Sequence, residues 1–115
     1  MIERGRGGGI GCYVRAELKI KTKVLAASPN PYCAQPEYLL LSLSLASGGS
    51  LLLALVYRPP KVGHLDTFWT DFERLHPSFP IAVIIGDFNV DLNRRCFEFN
   101  IFLDFCTFSH LYIVP

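Results

Sequence analysis

Three observations predict an α/β domain for this 115-residue sequence. Short apolar runs at 37–46, 51–57 and 81–85 are bounded by Gly, Pro and Ser clusters, as strands are. An amphipathic helical pattern at 64–76 lies between two of those runs, which permits a strand–helix–strand crossover. Half of the chain is hydrophobic, enough to bury the core of one small domain but not of two.

The elements follow in order. Residues 10–25, IGCYVRAELKIKTKVL, read as one long strand or two short ones. In LKIKTKVL, Leu18, Ile20 and Thr22 alternate with Lys19, Lys21 and Lys23, which puts the two sets on opposite faces. SPNPYCAQP at 28–36 carries three prolines and reads as a loop. Strands 37–46 and 51–57 flank Ser47-Gly48-Gly49-Ser50, a hairpin signal, and Pro59-Pro60 ends the second strand. The helix at 64–76 places Leu65, Phe68, Trp69, Phe72 and Leu75 on one stripe, with Pro77 as its stop. The run IAVII at 81–85 suits a strand covered on both faces. A second helix is expected at 94–108. Its apolar residues run nearly all round, so burial on most sides is expected. LYIVP at the end has the composition of a further strand.

The bulk numbers limit function. Net charge is +1, so there is no global electrostatic case for nucleic acid. The charge is uneven: residues 1–23 hold six basic and two acidic side chains, the remainder five and eight. A basic first strand fits either a phosphate-facing surface or a solvated strand face. Cys12, Cys33, Cys96 and Cys106 form no C-x-x-C pair, which points to a reduced, intracellular chain (nuclear or cytoplasmic) without a zinc or disulfide scaffold. MIERGRGGGIG lacks the apolar region of a signal peptide. Residues 38–56 are uncharged and approach the length of a membrane span, but the alternation in LSLSL and the central SGGS favour a hairpin. With only 18% charged residues and a mean hydropathy of +0.30, the chain is expected to leave apolar surface for further structure to cover.

Chemistry is sought where strands end, because ligands of α/β sheets sit outside the carboxyl ends of the strands. Asp87 and Asn89 follow the 81–85 strand, and alternation sends both to one side. A carboxylate there can hold a divalent cation or orient water, and an amide can donate to an anionic oxygen. On spacing alone, an ordinary Asx-rich turn is the simpler reading of the same residues. Tyr57 ends the preceding strand and can donate to a phosphate oxygen; Arg58 adds a charge suited to phosphate. GRGGGIG satisfies neither dinucleotide nor P-loop spacing. His64, His76 and His110 carry no assigned role, and Asp91 and Asp104 read as a turn and a helix residue.

The stretches GRGGGIGCYVR, PEYLLLSLSL, LVYRPP and IIGDFNVDL, in this order and spacing, resemble the endonuclease/exonuclease/phosphatase domain. The likeness is to the endonucleases of jockey-like non-LTR retrotransposons and covers nearly all of residues 5–115. The resemblance implies part of a four-layer sandwich, two facing mixed sheets with outer helices. It implies Mg²⁺-dependent phosphodiester hydrolysis (Mn²⁺ as an alternative), with DNA as substrate and a reverse transcriptase fused in the full-length protein. By resemblance Asp87 positions water or assists the leaving group and is a weak metal ligand. Asn89 holds the scissile phosphate, Tyr57 bonds a phosphate oxygen, and Arg58 joins Asn89 and Tyr57 in binding substrate. The family's main metal-binding glutamate and its closing Ser-Asp-His have no match here; Ser109-His110 lacks the aspartate. Residues 1–115 are therefore expected to be a single partial domain, truncated at both ends and weak or inactive as a nuclease. The alternatives are a phosphatase or phosphodiesterase on a small phosphoester and a non-catalytic remnant that binds nucleic acid.

Overall fold

The computed structural model describes residues 10–29, 36–58, 65–88 and 97–111. The described residues form an α/β fold with one mixed four-stranded sheet. Its strands are β1 (Lys21–Ala27), β2 (Glu37–Ser44), β3 (Ser50–Tyr57) and β4 (Ala82–Asp87), in the order β1-β2-β3-β4. The first three run antiparallel, and β4 joins β3 in parallel. Helix α1 (Asp66–Leu75) supplies the crossover between β3 and β4, and α2 (Phe97–Phe108) follows β4.

The hairpin is the centre of the fold. Leu39, Leu40, Leu41 and Leu52 are fully buried, because β2 and β3 are interior to the sheet. Its turn lies slightly earlier than SGGS suggests. The Gly48 amide donates to the Leu45 carbonyl (2.9 Å) and the Leu45 amide to the Gly49 carbonyl (2.7 Å). Gly48 has φ +96°, the left-handed position that closes such loops. Residues 38–56, the uncharged stretch, are thus two strands and a turn. No helix among the described residues is long and apolar enough to cross a membrane.

The two faces of the sheet differ. On one, Tyr38, Leu40, Leu52, Ala54 and Val56 pack under Phe68, Trp69 and Phe72 of α1, with Phe105 of α2 against the same core. The Trp69 and Phe105 rings stack at a centroid distance of 3.5 Å. The Tyr38 hydroxyl donates to Asp71 Oδ2 (2.6 Å), tying β2 to α1, and Arg74 pairs with Asp71 at 3.2 Å. On the other face, Leu39, Leu41 and Leu43 are covered by Ile10, Cys12 and Ile20. That cover does not reach β4 and the residue before it: Ile81, Val83 and Ile85 are 57%, 38% and 56% exposed.

Several expectations need correction. IAVII is covered on one face only, since its alternate residues Ala82 and Ile84 pack on the helical core while Val83 and Ile85 are exposed. The 81–85 run does not stop at Gly86: β4 continues through Asp87, held by pairing with β3. Residues 16–18 are a 3₁₀ turn capped by Lys19 at φ +52°, so a single long strand from 10 is excluded and β1 starts at Lys21. Helix α2 is not buried all round; Leu103, Asp104 and Thr107 are exposed, whereas Phe105 and Cys106 face inward.

Candidate functional site

The candidate site is built at the carboxyl end of the two parallel strands. Because β3 and β4 run in parallel and in register, their last residues are partners: Tyr57 pairs with Asp87, and Val56 with Gly86. Alternation from Leu53 and Leu55 puts Tyr57 on the face away from the helices, where it is 37% exposed. Asp87 is also exposed. A phenol donor and a carboxylate therefore stand on adjacent strands, about 4.8 Å apart along the backbone spacing of a sheet.

Gly86 permits this closeness. A Cβ at Gly86 would stand 2.1 Å from the Val56 carbonyl oxygen and within 3.0 Å of the Val56 carbonyl carbon and nitrogen. No side chain fits between the two backbones at that step. The strand end is then fastened by the next residue along β3: the Arg58 amide donates to the Asp87 carbonyl at 2.8 Å.

The Arg58 side chain is turned inward. The residue is 6% exposed, and its Nη1 donates to the Phe88 carbonyl at 3.2 Å. The Phe88 ring packs on the helical core. Asn89 and Asp91 lie outside the described residues, as do His64, Cys33 and Cys96. His76 follows the end of α1 and His110 lies beyond α2, so neither is carried on the β3–β4 strand ends.

One residue missed in the sequence joins the row. Glu37 pairs with Tyr57 across β2–β3, so Glu37, Tyr57 and Asp87 are successive across three strands. Hairpin arithmetic reveals it. Once Ser44 pairs with Ser50, residues equally far from the turn pair with each other, and Glu37 meets Tyr57. The basic residues of the first strand do not come here. Lys21 pairs with Ser44 at the opposite end of the sheet, and β1 is the far edge. Exposed lysines on an edge strand, together with the irregularity between Val24 and Ala26, are features that keep an edge from pairing with other chains.

No group of three or more His, Cys, Asp or Glu side chains suited to a metal occurs among the described residues. Asp87 offers one hard oxygen donor group at the strand end. A lone carboxylate could hold Mg²⁺ or Mn²⁺ only together with waters and substrate oxygens. Compared with protein-family models, curated proteins and solved structures, the chain has no match.

Proposed function

We propose that the chain carries part of a metal-dependent phosphodiesterase site, of the DNA endonuclease type found in non-LTR retrotransposons. The observation that supports this best is the register pairing of Tyr57 with Asp87 at the ends of two parallel strands. An Asx turn does not require that pairing. In this reading the Asp87 carboxylate orients the attacking water or the leaving group, and the Tyr57 hydroxyl donates to a phosphate oxygen. Asn89, two residues on, is assigned the scissile phosphate. Asp87 would hold Mg²⁺ or Mn²⁺, which would supply charge neutralisation at the phosphate. The apolar surface of β4 away from the helices supports a second sheet packed there, as in a four-layer sandwich.

With few ligands for a cation, turnover by this chain is expected to be slow. The test is conversion of supercoiled plasmid to nicked circle with Mg²⁺ or Mn²⁺, alongside NMR of labelled chain titrated with a short DNA duplex. Slow nicking that EDTA and Asp87→Ala both abolish supports the proposal. Nicking that survives Asp87→Ala overturns it, and so does a chain that neither nicks nor shows DNA-dependent shifts at Tyr57 and Asp87. DNA-dependent shifts at those residues without nicking would overturn catalysis in favour of a binding remnant.

A further inference from the structure

We infer that Arg58 is a positioning residue that holds the strand end carrying Asp87, and that it does not bind the phosphate. The inference rests on the phosphodiesterase reading for the use of that strand end; the anchoring itself stands on geometry alone. One residue engages two successive carbonyls. The main-chain amide of Arg58 holds the Asp87 carbonyl at 2.8 Å, and Nη1 of its guanidinium holds the Phe88 carbonyl at 3.2 Å.

Position explains why an anchor is needed. β4 lies at an edge of the described sheet, so β3 is the one neighbouring strand that fixes its end. The pairing of β3 with β4 closes at Tyr57–Asp87. Beyond that pair the chain leaves the sheet, and the direction of its first carbonyls sets where the Asp87 side chain points. Gly86 removes any side chain between the strands at the preceding step, and Phe88 is packed on the core. Arg58 adds a bond to each of the two carbonyls at this end.

Burial argues against a phosphate role. Arg58 is 6% exposed while its neighbour Tyr57 is 37% exposed, so the chain directs the phenol outward and the guanidinium inward. A guanidinium is a rigid fork of donors. To meet a phosphate on the Tyr57 side the guanidinium would have to leave the buried position in which Nη1 holds the Phe88 carbonyl.

The test uses ¹⁵N-labelled full chain, with R58K and R58M beside it. In the absence of DNA, R58M should raise the hydrogen-exchange rate of the residue-58 amide about tenfold, the size expected from losing one charge-assisted bond. R58K, which keeps a donor for the Phe88 carbonyl, should restore protection. On addition of a short DNA duplex with Mg²⁺, the Tyr57 and Asp87 amides should shift while the Arg58 Nε–H signal stays in place. Unchanged exchange in R58M would overturn the inference, as would an Arg58 Nε–H signal that moves with DNA in parallel with Tyr57. If Tyr57 and Asp87 do not move but the exchange pattern holds, the anchoring stands and the phosphodiesterase reading fails.

Discussion

Replacing Gly86 with alanine probes the geometry on which the candidate site depends. The new Cβ would lie 2.1 Å from the Val56 carbonyl oxygen, whereas a carbon and a carbonyl oxygen normally approach to about 3.3 Å. The gap must open by roughly 1 Å, and the obstacle is main chain, not a side-chain tip that can rotate away. Opening it loosens the Arg58 amide bond to the Asp87 carbonyl and at least one neighbouring ladder bond. Two such bonds are worth about 2 kcal/mol together, and residual overpacking adds about 1–3 kcal/mol. The reduced freedom of the unfolded chain returns about 0.5–1 kcal/mol. The expected net loss is about 3 kcal/mol, a fall in Tm of about 12 °C for a domain of this size. Urea and thermal unfolding followed by circular dichroism measure it. Gly49→Ala is the control, because its Cβ would make only a 3.6 Å contact with the Leu45 side chain. A G86A chain within about 0.5 kcal/mol of the parent, the scatter of ordinary surface substitutions, would refute the close-approach reasoning.

Two further outcomes are expected. Burial, reinforced by the hydrogen bond to Asp71, raises the Tyr38 phenol above its usual range, so the folded state keeps it protonated where the unfolded chain ionises. Its contribution is whole below pH 10 and is lost as pH rises above that value, at about 1.4 kcal/mol per pH unit; urea unfolding at pH 9–11 should show this slope in the parent and not in Y38F. Phe105→Ala removes the ring stacked on Trp69 at 3.5 Å and should cost about 3 kcal/mol, the low end for a core phenylalanine because the ring is only partly buried. Trp69 fluorescence in the folded state should change with it; an unaltered spectrum would dissociate α2 from α1.

The hairpin and the crossover were legible because each rests on a local pattern: LSLSL alternates, and the α1 stripe repeats with helical spacing. A crossover helix returns the chain parallel to the strand it left, which puts Tyr57 and Asp87 at the same end of the sheet; that their strands are neighbours is set by tertiary pairing. Other features were set by tertiary partners. Gly86 and Asp87 have poor strand propensity, yet pairing with β3 keeps them in β4. The period-two pattern of LKIKTKVL begins before the strand does, and nothing in Lys19 announces its left-handed φ of 52°. The composition of IAVII could not say that its second face would stay open. Arg58 was read by its charge as a phosphate ligand; its burial and its bond to the Phe88 carbonyl, thirty residues further along the chain, have no signal in the local sequence.

The distribution of charge constrains how the proposed site could take a phosphodiester. Glu37, Tyr57 and Asp87 lie in one cross-strand row, so two carboxylates flank a neutral phenol within about 10 Å, two inter-strand spacings. Among the described residues, Lys21 and Lys23 line the opposite edge, with Lys21 at the far end of the sheet, and the Arg58 guanidinium turns inward to the Phe88 carbonyl. An anionic phosphodiester arriving at this row meets like charge, which disfavours binding as surely as it disfavours adjacent carboxylates. Tyr57 can contribute one hydrogen bond, not a compensating charge. On the proposed reading, a divalent cation at Asp87 would offset part of that charge, so its effect belongs in binding as well as in the chemical step. A site that relied on arginine or lysine for binding would keep its affinity without the cation, so DNA titrations with and without Mg²⁺ separate the two.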